Sequence, residues 1–188
     1  MSKPRDSLSK RTAKKRAVDT SVSQLSLKLA DNLRNIVQPG QQLMLAFSGG
    51  LDSRVLLQIL VDLQPLLRFE LHAIHVHHGL SPNADDWAAF CVQTCADLNV
   101  LLTVVKANVS LDSGLGVEAA ARLARYQAFM EAKTDYIALA HHLDDQAETL
   151  LLQLLRGSGV KGLAAMAMRD QTRRLLRPLI DVPRETLL

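Results

Sequence analysis

The sequence predicts an α/β domain, a doubly wound parallel sheet of about five strands with helices on both faces. Three observations lead there. Short runs rich in Val, Ile and Leu alternate with amphipathic stretches of helical length, the pattern of β-α-β crossovers. The strand runs are apolar throughout rather than alternating, as strands covered on both sides require. Each conspicuous polar cluster falls where a strand run ends, which is where ligands bind in such sheets.

The elements follow in order. An amphipathic helix spans Val22 to Val37 and is stopped by Pro39-Gly40. Leu43 to Phe47 reads as the first strand and Ser53 to Leu63 as the helix after it. Phe69 to Val76 is the second strand, and a loop over His77 to Asn83 leads into a helix from Asp85 to Leu98. Val100 to Val105 is the third strand, and a loop over Ala107 to Gly116 opens a long helix from Val117 to Ala132. Tyr136 to Ala140 gives the fourth strand, Asp144 to Leu155 another helix, and Arg174 to Leu176 a fifth strand.

The 188 residues, 48% of them hydrophobic, suffice for one domain with a sizeable core. No apolar run reaches the roughly 18 residues that span a bilayer. The N-terminus is basic but lacks the apolar segment of a signal peptide, so a cytoplasmic location without membrane partners is expected. Residues 1–16 carry seven Lys and Arg against Asp6 alone, so the rest of the chain carries −3 of the +3 total. Residues 1–20 are therefore expected to be a disordered basic tail, either adding attraction for RNA phosphates or merely solubilising. The folded body spans 21–182. Residues 183–188 look like the start of a linker to further domains, because a helix signal opens after Pro183 and stops. Cys91 and Cys95, at i and i+4, lack C-x-x-C spacing and read as buried thiols.

Five clusters carry candidate chemistry. Ser48-Gly49-Gly50-Leu51-Asp52-Ser53 joins a strand to a helix start, where glycine amides and serine hydroxyls can cradle an anion. It is neither a Walker A loop nor a GxGxxG fingerprint. Asp52 would repel phosphate directly, so it suits Mg²⁺ or proton transfer; helix capping is the plainer alternative. His75, His77 and His78 end the second strand. Adjacent strand residues face opposite sides, so lining a nucleotide pocket fits better than zinc, and His78 could be a surface residue. Glu118, Arg122, Arg125 and Tyr126 share one helix; Glu118 and Arg122 suit substrate contact or a simple i,i+4 pair. His141, His142, Asp144, Asp145 and Glu148 surround the end of the fourth strand; converging carboxylates suit a metal or an amine, while helix capping accounts for one aspartate and at most Glu148 besides. Arg156-Gly157-Ser158-Gly159 with Lys161 is either a helix stop or a mobile anion loop.

The loop by itself resembles that of the N-type ATP pyrophosphatases, which cleave ATP between the α and β phosphates. The ordered set is more specific: Ile74 to Leu80, Gly116-Val117-Glu118 with Ala121-Arg122 and Arg125-Tyr126, His141 to Gln146 with Glu148-Thr149, and Arg156 to Gly159. From Gln42 to Pro183 the chain resembles the N-terminal catalytic domain of bacterial tRNA(Ile)-lysidine synthases. The resemblance implies an adenine nucleotide alpha hydrolase-like fold and a two-step ligation. ATP adenylates the C2 carbonyl oxygen of the wobble cytidine in a tRNA(Ile) with a CAU anticodon; free L-lysine then attacks C2 and expels AMP. It implies that Ser48, Gly49, Gly50 and Ser53 hold pyrophosphate with His75 and His77 lining the pocket. Asp52 would serve Mg²⁺ or base chemistry, and Arg122 would face the adenylate. His141, Asp145 and Glu148 would surround lysine and cytidine, with Glu118 a further substrate contact. A thiolase of the same superfamily, an amidotransferase-coupled ligase and a nucleotide-binding module are the competing readings. A homodimer is compatible with the sequence. Because full-length members carry further tRNA-gripping domains, this chain is expected to bind ATP yet make lysidine poorly alone.

Overall fold

The computed structural model describes residues 24–107, 116–157 and 166–188. The basic tail and parts of the loops expected over 107–116 and 157–163 lie outside the described residues. A first helix, α1, covers residues 24–34. The following elements are β1 (Gln42–Ala46), α2 (Leu51–Leu67), β2 (Glu70–His77), α3 (Ala84–Asp97), β3 (Leu101–Lys106), α4 (Val117–Glu131), β4 (Tyr136–Ala138), α5 (Leu143–Leu155), β5 (Arg169–Asp170) and β6 (Leu175–Leu176). A 3₁₀ turn, Arg184–Leu187, follows Pro183 and buries Leu187 in the core.

Six strands form one sheet in the order β3-β2-β1-β4-β6-β5. The first five are parallel in sequence of pairing, and only β5 runs antiparallel, against β6. The chain moves outward from β1 to β2 and β3, then returns across β1 to β4. That reversal beside β1 is the topological switch point where open α/β sheets bind ligands.

Side-chain alternation along the central strands builds two cores. Leu43, Leu45 and Phe47 with Leu71 and Ala73 pack against Leu29 and Leu33 of α1, Leu56, Leu57 and Leu60 of α2, and Cys91 and Cys95 of α3. Met44 with Ile74 and Val76 faces the other way, toward Ala128 and Phe129 of α4. Helices thus cover both faces at the centre, as the continuous apolar strands predict. Coverage fails at the periphery: edge strand β3 leaves Leu101 and Val104 exposed, and α5 has no buried residue among its described ones.

Two differences from the sequence reading have local causes. α2 runs past Leu63 to Leu67 with Pro65 inside its last turn, at the cost of one i→i−4 bond; Arg68, left-handed at φ 60°, then closes it by donating N–H to the Gln64 carbonyl at 2.8 Å. The fifth strand is joined by a hairpin partner, β5, which two residues are too few to reveal by periodicity. No described helix is long and apolar enough to cross a membrane.

Candidate active site

A cleft of about 740 Å³ opens at the carboxyl ends of β1, β2 and β4. Its floor is the turn from β1 into α2. Gly49 takes φ 81°, a left-handed value that favours glycine, and a Cβ added there would stand 2.8 Å from Cys91 Sγ and 3.2 Å from Trp87 Nε1. Gly50 is different: it has an ordinary φ of −68° and caps α2 without a side-chain bond, so the start of the helix remains open to an anion. The hydroxyls of Ser48 and Ser53 lie 3.1 Å apart; the Gly50 N–H donates to Ser48 Oγ at 3.3 Å, and Ser53 Oγ donates to the Gly50 carbonyl at 2.9 Å.

β2 delivers the histidines. Buried His75 bonds through Nδ1 to the Phe47 carbonyl at 2.9 Å, so Nδ1 carries the proton and Nε2 is left as the acceptor of a neutral ring. Burial pulls its pKa down, with the Phe47 bond opposing and His77 adding to the fall. His77 Nε2 meets Asp85 Oδ1 at 3.0 Å, tying β2 to α3. His78 faces Arg125 at 3.5 Å, and burial first, then Arg125, lowers its pKa. All three line the cleft, but with different partners, and among the described residues no group of three or more His, Cys, Asp or Glu is arranged to hold a metal.

The end of β4 brings the two carboxylates together through a histidine. His142, buried and capping α5, places Nε2 3.6 Å from Asp52 Oδ2 and Nδ1 3.5 Å from Asp145 Oδ2. Its backbone N–H donates to Asp145 Oδ2 at 2.8 Å, so Asp145 also caps the helix. His141 lines the cleft itself; desolvation pushes its pKa down to about 4, Asp145 opposes this, and Arg177, Arg122 and Arg125 reinforce it. It is a neutral imidazole near pH 7. Arg122 and Arg125 line the cleft, the former lying over Tyr126 at 5.4 Å.

Not every candidate converges. Asp52, Ser48, Gly50, Ser53, His75, His77, Arg122, His141 and Asp145 line the cleft. Gly49 packs beneath it. Glu118 and Glu148 are exposed and outside its lining. Glu118 makes no ion pair with Arg122 among the described residues. Sequence reasoning also passed over Trp87, whose indole donates to the Ser48 carbonyl, and Arg184, whose Nε lies 3.8 Å from Asp52 Oδ1. Arg177, buried at the end of β6 and donating to the Ala167 carbonyl at 2.8 Å, was missed as well. A buried Arg in a Leu-Arg-Pro-Leu run was the available signal.

Asp52 Oδ1 is buried and without a hydrogen-bond partner. A carboxylate oxygen that accepts no hydrogen bond and has Arg184 Nε at 3.8 Å as its charged neighbour, beside an anion cradle, fits Mg²⁺, which usually takes one or two carboxylates plus substrate phosphates. Cys91 and Cys95 are free and fully buried, and desolvation raises both thiols to about 11.

A parallel sheet with a Ser-Gly-Gly-Leu-Asp-Ser turn at its switch point defines an ATP-utilising loop domain, and the PP-loop domain family matches residues 20–188. The chain belongs to that family. Among curated proteins it is similar to the tRNA(Ile)-lysidine synthase of Nitrosomonas europaea, 45% identical over 162 residues that cover 84% of this chain and 35% of that one. It is also similar to the tRNA(Ile)-lysidine synthase of Chromobacterium violaceum, 53% identical over 145 residues covering 75% and 33%. The chain thus spans about a third of the length of these relatives. Among solved structures it is similar to the U34-tRNA thiolase NcsA from Methanococcus maripaludis with its [4Fe-4S] cluster, with TM-score 0.74 and 21% identity over 90% of this chain and 62% of that one. That likeness shows the fold.

Proposed function

We propose that this PP-loop domain carries the chemistry of a tRNA(Ile)-lysidine synthase: adenylation of C2 of the wobble cytidine in a CAU-anticodon tRNA(Ile), then ligation of lysine. The observation that carries the reading is the meeting of Asp52, His142 and Asp145 at one end of an anion cradle, with Arg122 and Arg125 in the same cleft. The kinship to enzymes of that name gives the acceptor.

The loop amides and the Ser48 and Ser53 hydroxyls bind the β and γ phosphates, which leave as pyrophosphate when the cytidine O2 attacks the α phosphorus. Asp52 would hold Mg²⁺, which supplies charge neutralisation for that displacement. Arg122, which lines the cleft, would supply the counter-charge for the adenylate's phosphate. Asp145 orients the lysine ε-ammonium and takes a proton as its nitrogen bonds to C2, and the C2–O bond breaks to release AMP. His141, neutral at working pH, offers hydrogen bonds to a base edge and is too weak a base to hold a proton there. His75 and His77 line the nucleotide pocket. Glu148, one turn beyond Asp145, and Glu118 are exposed outside the cleft lining and would meet tRNA or lysine only from the solvent side.

Sulfur transfer fares worse, because it needs reactive thiols and this chain's two are buried and held protonated. The test is ATP conversion to AMP and pyrophosphate by the full-length protein with tRNA(Ile), with and without labelled lysine. Label from lysine in the tRNA supports the reading; sulfur incorporation without lysine sinks it.

A further inference from the structure

We infer that Trp87 is a positioning residue that sets the phosphate-facing side of the 48–50 turn, an inference that rests on the reading of this turn as a pyrophosphate cradle. Trp87 stands in the first turn of α3, 39 positions along the chain from Ser48, and its indole N–H donates to the Ser48 carbonyl. No peptide bond among the described residues is cis. In a trans peptide the carbonyl and the following N–H point in opposite directions. Holding the Ser48 carbonyl toward α3 therefore turns the Gly49 N–H away from α3, where it meets no acceptor among the described residues. That leaves a donor free for an anion.

Trp87 and Cys91 also fill the space beneath Gly49, where a Cβ would stand 2.8 Å from Cys91 Sγ and 3.2 Å from Trp87 Nε1. Trp87 is in turn held in place. Its ring stacks on Phe90 with centroids 5.6 Å apart, and Arg54 of α2 lies 5.4 Å over the Phe90 ring. The Asp85–His77 pair fixes the start of α3 to β2. The first turn of α3 is thus clamped to the site at two points, one on the histidine strand and one on the loop. Trp87 itself is 48% exposed and lines the cleft, so the indole is not there to fill a core.

Trp87→Phe keeps the ring and deletes the donor. In the full-length protein, calorimetric binding of inorganic pyrophosphate and of ATP is expected to weaken about five- to tenfold, the scale of one well-placed hydrogen bond. Adenosine, which carries no phosphate, is expected to bind as before, and circular dichroism should report an unchanged fold. Wild-type pyrophosphate affinity in Trp87→Phe would overturn the inference and leave the cradle reading standing. Equal weakening for pyrophosphate and adenosine would also overturn it, since that marks a structural role. Absence of ATP and pyrophosphate binding in the wild-type protein would instead fell the cradle reading itself.

Discussion

Alanine at Gly49 and alanine at Gly50 should fail in different ways, although the residues are adjacent. At Gly49 the substituted backbone must hold φ 81°, which costs an L-residue about 1–2 kcal/mol. The new methyl also meets Cys91 Sγ at 2.8 Å, inside any tolerable contact, and the Trp87 ring at 3.2–3.3 Å. Cys91 is fully buried and cannot swing aside freely, so overpacking adds about 1–3 kcal/mol. Together these amount to about 2–5 kcal/mol out of a typical total of 5–15. For a domain of this size that lowers the melting temperature by about 4–20 °C. At Gly50 the backbone has φ −68°, open to any residue, and a methyl meets only Ser48 Oγ at an ordinary 3.5 Å. Gly50→Ala should therefore melt within about 2 °C of wild type, yet its methyl enters the anion's path and weakens ATP at least about tenfold. Thermal unfolding followed by circular dichroism, paired with ATP titration calorimetry, reads both effects. A neutral Gly49→Ala, or a Gly50→Ala that loses stability while keeping ATP affinity, would refute the division of labour between the two glycines.

Asp52→Ala should cut ATP turnover at least about a hundredfold with a retained fold; turnover near wild type would remove Asp52 from the chemistry. His141 binds its proton later in the folded state than in the unfolded chain, so its contribution is complete above about pH 6.5 and lost as pH falls toward 4. At pH 5 the loss is about 2 kcal/mol, and urea unfolding of His141→Gln should show a shallower decline from pH 7 to 5; an unchanged slope would dismiss His141 as its source. With thiols raised to about 11, Cys91 and Cys95 should stay unreactive toward an aromatic disulfide at pH 8 until urea unfolds the protein. Rapid labelling of the native state would reopen sulfur chemistry.

The central elements were legible because each is long enough to show its period. β1, β2, α3, β3 and α4 begin and end within one or two residues of the positions read from apolar runs and turn residues. What escaped has physical reasons. Two-residue strands carry no period, and a proline in a last turn looks like a helix stop before it is one. In the site, spacing showed which residues share a helix face and could not show where that face points. Hence Asp145 reaches the cleft while Glu148, three residues on, does not. Of the His141-His142 pair, it is His142 that stands between the two carboxylates, while His141 lines the cleft. Trp87 and Arg184 act on residues far away in the chain, and no local pattern announces such partners.

The position of β1 has a consequence for assembly. Residues 42–46 pair with 70–74 on one side and with 136–138 on the other, a separation of about ninety positions. Asp52 reaches Asp145 through His142 only once that second, long-range pairing has closed. Closing such a loop costs more chain entropy than pairing β1 with its sequence neighbour β2. A nucleotide that needs both strand ends therefore cannot be held by partly assembled chains, and its capture would mark the completed sheet. ATP would then act as a thermodynamic lock on that long-range pairing, raising the stability of finished molecules alone.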